Sequence, residues 1–283
     1  IFLTPGFDFP LTMALTLQSV ASLLAFVQRS LSTALEPVAP ADALTRRTFG
    51  WYLALSFLIA SANGLSTAAL SFVSMATKVL FKSSKIVVVM LIGSIAFGRR
   101  YSAASFASMV IVCAGLVVFF LGTAHGGAAA LRSSLAGCAL LVGAVCVDAA
   151  LPNVQQRLLQ DLQRPKGEVV FHTNWISALL TLAAAVATGE LGRALPFFRA
   201  HRATLALLLV QSAAGYSGIL AYLECVRRFG SKATAVVTSC RKLFTILLSA
   251  AAFAHPLNGF HAIGAAAVVG GVLLDANAER AAA

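Results

Sequence analysis

Nine long apolar segments divide this chain, and most are close to the roughly 20 residues that a helix needs to cross a bilayer. They run at 10–28, 49–73, 76–97, 103–122, 128–151, 170–188, 203–224, 232–253 and 258–275. Within hydrocarbon, only helices and closed barrels satisfy all their backbone polar groups, and barrel strands would alternate polar and apolar residues. The sequence therefore predicts an all-α polytopic membrane protein with nine spans, whose partner is the lipid bilayer.

The composition excludes several other classes of protein. Hydrophobic types form 59% of the 283 residues and charged types only 11%, whereas soluble domains are about 25% charged. A cytosolic enzyme, a disordered chain and a nucleic-acid module are thereby excluded. We interpret the net charge of +11 as topological, because basic residues collect in cytoplasmic loops. The five cysteines form no C-x-x-C pair and the histidines show no ligand spacing, so no metal or cofactor is predicted.

The distribution of lysine and arginine between loops predicts the orientation of the chain. Most loop cations lie on one side, among them Arg99, Arg100, Arg227 and Arg228. That side is expected to be cytosolic, together with the C-terminus. Nine spans then place Ile1 on the opposite side, and we expect one further helix to precede this chain.

An internal repeat appears when the sequence is shifted by 156 residues without gaps. The matched pairs are Ser83 with Ser239, Lys85 with Arg241, Leu91 with Leu247, Phe97 with Phe253, Val112 with Val268 and Gly115 with Gly271. The third and eighth segments are five spans apart, so they cross the membrane in opposite directions. This indicates an inverted repeat, which is typical of alternating-access transporters. We predict ten helices in two inverted five-helix repeats, residues 1–151 and 170–275, within a single transporter domain, 1–283.

Three lysines interrupt the third apolar segment. Lys78, Lys82 and Lys85 have the spacing i, i+4 and i+7, which places them on one face of a continuous helix. A cation at the bilayer centre costs at least about 3 kcal/mol on insertion scales. Lys78 is close enough to the segment end to reach the interface instead. The lysine face therefore predicts an anion site that opens to a water-filled cavity.

The eighth segment carries Arg241 and Lys242 near its middle, and Thr238 lies on the same face. The acids that could neutralise these cations are few, and Asp148, Glu224 and Asp275 all fall near the ends of predicted segments. Arginine can hold a phosphate or sulfate with two parallel hydrogen bonds. The predicted substrate-binding residues are Lys82, Lys85, Arg241, Lys242, Lys78 and Thr238. We predict no catalytic residues, since no Walker motif or Ser-His-Asp set is present.

Three stretches resemble a known family. LFKSSKIVVVMLIGSIAFGRRYS is similar to the helix-four stretch of the B subfamily of nucleotide-sugar transporters, and TSCRKLFTILLSAAAFAHP resembles its second cationic helix. VDAALPNVQQRLLQ resembles the branch that carries adenosine 3′-phosphate 5′-phosphosulfate (PAPS), its second type in particular. The resemblance implies a drug/metabolite transporter-like fold of ten helices, the first of them absent here. It also implies that Lys82, Lys85, Arg241 and Lys242 contact phosphate or sulfate groups.

The function implied is antiport of PAPS from the cytosol into the Golgi or endoplasmic reticulum lumen, in exchange for PAP or another adenine nucleotide. A UDP-galactose or ATP/ADP exchanger of the same subfamily stays open, because it has a similar lysine pair. A receptor or intramembrane enzyme is the alternative from another class, but it leaves the inverted repeat unexplained. The substrate partner is a nucleotide-sulfate or nucleotide-sugar, no nucleic acid is expected, and a homodimer is left open.

Overall fold

A computed structural model describes residues 9–35, 46–69, 72–123, 134–253 and 258–282. These ranges form α1 (Pro10–Leu35), α2 (Arg46–Ala69), α3 (Met75–Ser83), α4 (Lys85–Phe97), α5 (Ala103–Thr123), α6 (Leu135–Gln156), α7 (Lys166–Ala187), α8 (Glu190–Ala200), α9 (Arg202–Phe253) and α10 (Gly259–Ala282). A π-helical turn, Arg157–Asp161, continues α6. The described residues are thus overwhelmingly helical, as the sequence predicts.

Seven of these helices are long and apolar enough to cross a membrane, and the bent pair α3–α4 makes an eighth span. The apolar stretch of α9 extends over 44 residues, or about 66 Å of helix, which is more than twice the thickness of a bilayer core. Gly230 breaks α9, since its φ of 78° and ψ of −178° are not helical. Counting the two parts of α9 separately gives nine spans among the described residues. The prediction of an all-α polytopic membrane protein is confirmed.

The third apolar segment, predicted as one continuous helix, is broken at Ser84. The hydroxyl of Ser83 donates to the carbonyl of Leu80 (2.6 Å), and that of Ser84 donates to the carbonyl of Phe81 (2.7 Å). Serine hydroxyls that bond to the preceding turn compete with the helical hydrogen bonds and bend helices. The helix axes of α3 and α4 consequently differ by 42°. The third segment is therefore a bent pair of helices and not the continuous helix expected from the sequence.

Helix α8 was not predicted, because 11 residues are too few to resemble a membrane span. Phe198 of α8 packs with Phe9 and Leu208 in a small apolar core. The carboxylate of Glu190 accepts hydrogen bonds from the backbone nitrogen of Thr12 (2.7 Å) and from its hydroxyl (3.0 Å). These bonds satisfy a free N–H in the first turn of α1 and fix α8 against it.

The chain divides into two compact units. One comprises Ile1–Ala60 and Val154–Arg228, and the other comprises Ser61–Asn153 and Phe229–Ala283. Each unit therefore combines a part from the first half of the chain with a part from the second half. In the first unit, the Tyr52 hydroxyl donates to the carboxylate of Glu168 (2.8 Å), which ties α2 to α7.

The second unit contains an extended apolar core. Its fully buried members come from α4, α5 and α6, and they are Ile86, Val89, Met90, Met109, Val112, Leu116, Phe119 and Ala149. Side chains from α9 beyond Gly230 and from α10 complete this core. The third and eighth apolar segments thus pack on one common core.

Glycines bring α5 and α10 into direct backbone contact within this unit. A Cβ atom at Gly115 would lie 2.9 Å from both the carbonyl oxygen of Gly264 and the nitrogen of Val268. No larger side chain fits at that distance. Small residues at membrane helix interfaces permit such an approach.

The same contact occurs a second time with the two helices exchanged. A Cβ atom at Gly271 would lie 3.0 Å from the carbonyl oxygen of Ser108 and 3.1 Å from the nitrogen of Val112. A shift of 156 residues converts one set of contacting residues into the other. It also converts the start of α5 at Ala103 into the start of α10 at Gly259. Reciprocal contacts are what a two-fold axis produces, so they support the repeat. The full arrangement of two five-helix repeats stays a prediction.

Candidate anion-binding site

Two lysines of the predicted site share one carboxylate. Lys85 Nζ lies 3.1 Å from Asp148 Oδ1, and Lys82 Nζ lies 3.6 Å from Asp148 Oδ2. Each carboxylate oxygen thus faces one lysine. The three side chains are 20–25% exposed, so they remain within reach of water or a solute. With two cations and one anion, the group keeps an excess positive charge.

Local backbone features position this group. The break at Ser84 separates Lys82, at the end of α3, from Lys85, at the start of α4. On α6, Pro152 has no N–H, so the carbonyl of Asp148 four residues earlier loses its helical hydrogen-bond donor. Both helices are therefore irregular where their charged side chains meet.

The position of Asp148 corrects an expectation from the sequence. The fifth segment was predicted to end at residue 151, which placed Asp148 near its end. The apolar span instead extends over Leu135–Asp161, and Asp148 is its central residue. Polar residues such as Gln155 and Gln156 conceal this continuation in the sequence. A carboxylate in the middle of the span is therefore present, contrary to the expectation.

The other predicted cations do not join this group through a shared acid. Lys78 is half-buried on α3, and Arg241 is exposed on α9. Within the described part of the chain, neither side chain forms an ion pair. The backbone of Lys242 is helical, but its side chain lies outside the described residues. The structure brings Lys82 and Lys85 together through Asp148, while a substrate contact by Lys78, Arg241 or Lys242 stays a prediction.

Thr238 lies half-buried on α9, one turn before Arg241. Its hydroxyl donates to the carbonyls of Thr234 (2.9 Å) and Ala235 (3.1 Å). A direct hydrogen bond from Thr238 to an anion would require rotation of this hydroxyl. Its predicted role in binding is not tested by this geometry.

A second charged group was missed by the sequence reasoning. Lys232 Nζ lies 2.8 Å from Asp275 Oδ2 and 2.9 Å from Oδ1, and it donates to the hydroxyl oxygen of Ser105 (2.7 Å). The Ser105 hydroxyl in turn donates to Asp275 Oδ1 (2.5 Å). Three helices thus meet at one buried ion pair. The sequence signal was a single lysine at the start of an apolar segment, and its partner is 43 residues away.

The Asn-Val-Gln element, which carries the resemblance to PAPS transporters, has a structural role here. Asn153 is fully buried, and its amide donates to the carbonyls of Val89 (2.9 Å) and Ala149 (3.1 Å). Its oxygen accepts from the hydroxyl of Ser231 (2.9 Å). One N–H of Asn153 therefore joins α6 to α4, and the other bonds within α6.

A polytopic helical protein whose central cations outnumber their carboxylate is suited to carry anionic solutes across a membrane. The chain belongs to the UAA transporter family, whose sequence model matches residues 8–279. The predicted membership in the nucleotide-sugar transporters is thereby confirmed.

Individual relatives extend over most of this chain. Adenosine 3′-phospho 5′-phosphosulfate transporter 2 of Drosophila melanogaster is 32% identical to this chain over 81% of its length. The protein of the same name from Aedes aegypti is 30% identical over 99% of the chain. The UDP-galactose/UDP-glucose transporter 4 of Arabidopsis thaliana is 28% identical over 79% of the chain. The aligned region covers 57%, 71% and 64% of these three relatives, respectively.

A crystal structure of another protein matches the fold of this chain with a TM-score of 0.67. The match covers 97% of this chain and 90% of the other, at 15% sequence identity. At this identity the likeness concerns the fold alone.

Proposed function

We propose that this protein is an antiporter that moves PAPS from the cytosol into the Golgi or endoplasmic reticulum lumen. It returns PAP or another adenine nucleotide, and the PAPS supplies lumenal sulfotransferases. The similarity to PAPS transporter 2 proteins of two insects, at 32% and 30% identity, supports this substrate. The role is transport, with no catalytic step assigned to any residue.

The observation that carries the proposal is the unbalanced group of Lys82, Lys85 and Asp148. A buried cation without a partner is costly, so an excess cation within a membrane protein indicates an anionic ligand. PAPS carries a 3′-phosphate at one end and a phosphosulfate at the other, and both are multivalent acceptors. Lysine supplies compact point charges for such groups.

The four predicted cations divide between the two ends of the substrate. In this proposal, Lys82 and Lys85 hold one end, and Arg241 and Lys242 hold the other. Arg241 contributes a planar fork that matches a phosphate or sulfate. Lys78 adds charge at the edge of the lysine group, and Thr238 supports the contact made by Arg241.

Exchange follows from the excess charge. Cations in a low-dielectric site repel one another unless an anion lies among them. The empty carrier therefore changes conformation more slowly than the loaded one, and a counter-substrate such as PAP accelerates transport. Asp148, expected near a segment end, lies in the middle of its span, so the lack of a central acid is not an argument for exchange. The support is now the excess of lysine over carboxylate.

A UDP-sugar is the second candidate substrate, favoured by the 28% identity to the Arabidopsis transporter. A diphosphate satisfies the same cations, so the charged group does not discriminate between the two. Discrimination rests on the 3′-phosphate, which PAPS has and a UDP-sugar lacks.

The test is uptake of labelled PAPS into liposomes that contain the purified protein and are loaded with PAP. Unlabelled PAPS and PAP should compete strongly, whereas UDP-galactose and ATP should compete weakly. Liposomes without internal PAP provide the control for exchange and should show much slower uptake. Preferred competition by UDP-galactose would contradict the substrate, and equal uptake without PAP would contradict exchange.

The orientation is part of the same proposal. We place the C-terminus, with the Arg99–Arg100 and Arg227–Arg228 pairs, on the cytosolic side of the Golgi or endoplasmic reticulum membrane. A protease added to sealed Golgi vesicles should remove a C-terminal tag without detergent. Protection of the tag from the protease would contradict a cytosolic C-terminus.

A further inference from the structure

The carboxylate of Asp148 has an unusual place for an acid in this protein. The unit formed by Ser61–Asn153 and Phe229–Ala283 contains three acidic residues, Asp148, Asp275 and Glu279. Asp275 is already paired with Lys232. Glu279 belongs to the last turns of α10, beyond the apolar span that ends at residue 278. Asp148 is therefore the acid of this unit that is placed to compensate charge in the middle of a span.

Its contacts coincide with the contacts assigned to a substrate. Lys82 and Lys85 each direct an ammonium group to a different oxygen of Asp148, at 3.6 Å and 3.1 Å. A phosphate or sulfate presents oxygens in a similar arrangement, as an acceptor for two separate lysines. The carboxylate and the substrate group thus compete for the same two donors.

We propose that Asp148 acts as an internal counter-anion, which holds Lys82 and Lys85 while the carrier is empty and yields them to a phosphate or sulfate group of the substrate. This inference rests on the proposed function, because it assigns the two lysines to substrate binding. It adds a residue that limits affinity and determines how strictly transport is coupled to exchange.

Two consequences follow from electrostatics. Asp148 lowers the affinity for the substrate, because its bonds to the lysines must be broken first. It also reduces the repulsion between the lysines in the empty carrier, so the empty carrier returns at a measurable rate. Removal of this charge should have opposite effects on the two properties: tighter binding and slower return of the empty carrier.

The variant Asp148→Asn tests both consequences, because it keeps the shape of the side chain and removes its charge. We expect the Kd for PAP, measured by calorimetry on the purified protein, to fall about tenfold or more. Net efflux of labelled PAP from liposomes into a substrate-free medium should fall by a similar factor, while efflux into medium that contains PAP changes by less than about threefold. Asp161→Asn is the matched control, because Asp161 also forms an ion pair at 3.1 Å but has a more exposed side chain (33%). Its Kd and both efflux rates should match those of the wild type.

A double variant covers the case in which Asp148→Asn does not fold. Lys82→Met with Asp148→Asn removes one charge of each sign and leaves Lys85 alone. Its Kd for PAP should be about threefold or more lower than that of Lys82→Met alone, because Asp148 no longer competes for Lys85. Unchanged PAP affinity in Asp148→Asn relative to the wild type, or in the double variant relative to Lys82→Met, would overturn the inference.

The same variants separate this inference from the proposed function. Inorganic pyrophosphate serves as a second probe, because it carries no nucleoside. If the wild type binds pyrophosphate but not PAP, the nucleotide assignment fails, while tighter pyrophosphate binding by Asp148→Asn still supports the counter-anion. If Lys85→Ala abolishes PAP binding and Asp148→Asn leaves it unchanged, the lysine site stands and the counter-anion is wrong.

Discussion

Two groups of charged side chains lie within the same unit and differ in their balance. Lys232 and Asp275 form a one-to-one pair whose side chains are only 9% and 12% exposed, and Ser105 completes it. Lys82 and Lys85 share Asp148, and these side chains are 20–25% exposed. One group is neutral, enclosed and fully hydrogen-bonded, whereas the other is positive and accessible.

The difference supports assigning the balanced pair to the fold and the unbalanced group to the proposed substrate site. A neutral pair with all its donors occupied offers a solute no further contact. A positive group with exposed surface can accept another anion at little cost, because the lysines are partly hydrated already. Burial of a lysine is thus insufficient as a sign of a binding site; the charge balance of its surroundings decides.

The largest effect is expected when the balanced pair is broken. Asp275→Asn leaves Lys232 buried without its counter-charge, and we expect a loss of about 3–5 kcal/mol in stability. Thermal unfolding in detergent measures this change. The Kd for PAP of the folded fraction should stay within about twofold of the wild type.

The double variant Lys232→Met with Asp275→Leu is the control for this prediction. Replacement of a whole buried pair by apolar side chains is often close to neutral, so most of the stability should return. A stable Asp275→Asn protein with weakened PAP binding would contradict the assignment of this pair to the fold.

The next effect concerns the unbalanced group. Lys85→Ala removes a charge-assisted contact, and the Kd for PAP should rise about 10- to 150-fold. Stability should change little, because Asp148 keeps Lys82 as a partner. Arg157→Ala is the matched control, since Arg157 also pairs with a carboxylate at 3.1 Å but has a more exposed side chain (35%).

A smaller effect is expected at Arg241, where charge can be separated from shape. Arg241→Lys keeps the charge but loses the planar fork, and we expect about a tenfold weaker affinity for PAPS. Competition uptake in liposomes measures it, and Arg100→Lys serves as the control in a loop. If Arg241→Ala and Lys85→Ala both keep near-normal affinity, the anion site lies elsewhere.

The smallest effect is expected at Lys78. This half-buried side chain lies a turn before Lys82, so its charge acts on the substrate from a greater distance. Lys78→Ala should weaken PAPS affinity about two- to fivefold, less than Lys85→Ala. The controls are Arg99→Ala, in the loop after α4, and Arg202→Ala, at the start of α9, which should have smaller effects. An effect as large as that of Lys85→Ala would make Lys78 a direct contact.

Hydropathy in the sequence was sufficient for the spans, because each apolar run is long and lipid permits few alternatives. It also identified Lys82 and Lys85 as cations within a span. It did not reveal the break between them, although the Ser83–Ser84 pair was a visible signal. Hydropathy treats such serines as mildly polar and does not report where their hydroxyls bond.

The partners of the lysines were harder to predict, because they come from distant parts of the chain. Asp148 is 63 residues from Lys85, and Asp275 is 43 residues from Lys232. Pairing at such separations depends on which helices are neighbours, and a single sequence does not reveal this. The scarcity of acids nevertheless left few candidates, and Asp148 and Asp275 were both among them.

The glycine contacts between α5 and α10 have a mechanical consequence. Two helices that touch through their backbones at two reciprocal points cannot slide or roll without a steric clash. We therefore expect α5 and α10 to move together as one body, with the conformational change of the proposed carrier located in other helices. A cross-link between cysteines introduced along α5 and α10 would then leave transport intact, because it joins parts that do not move apart.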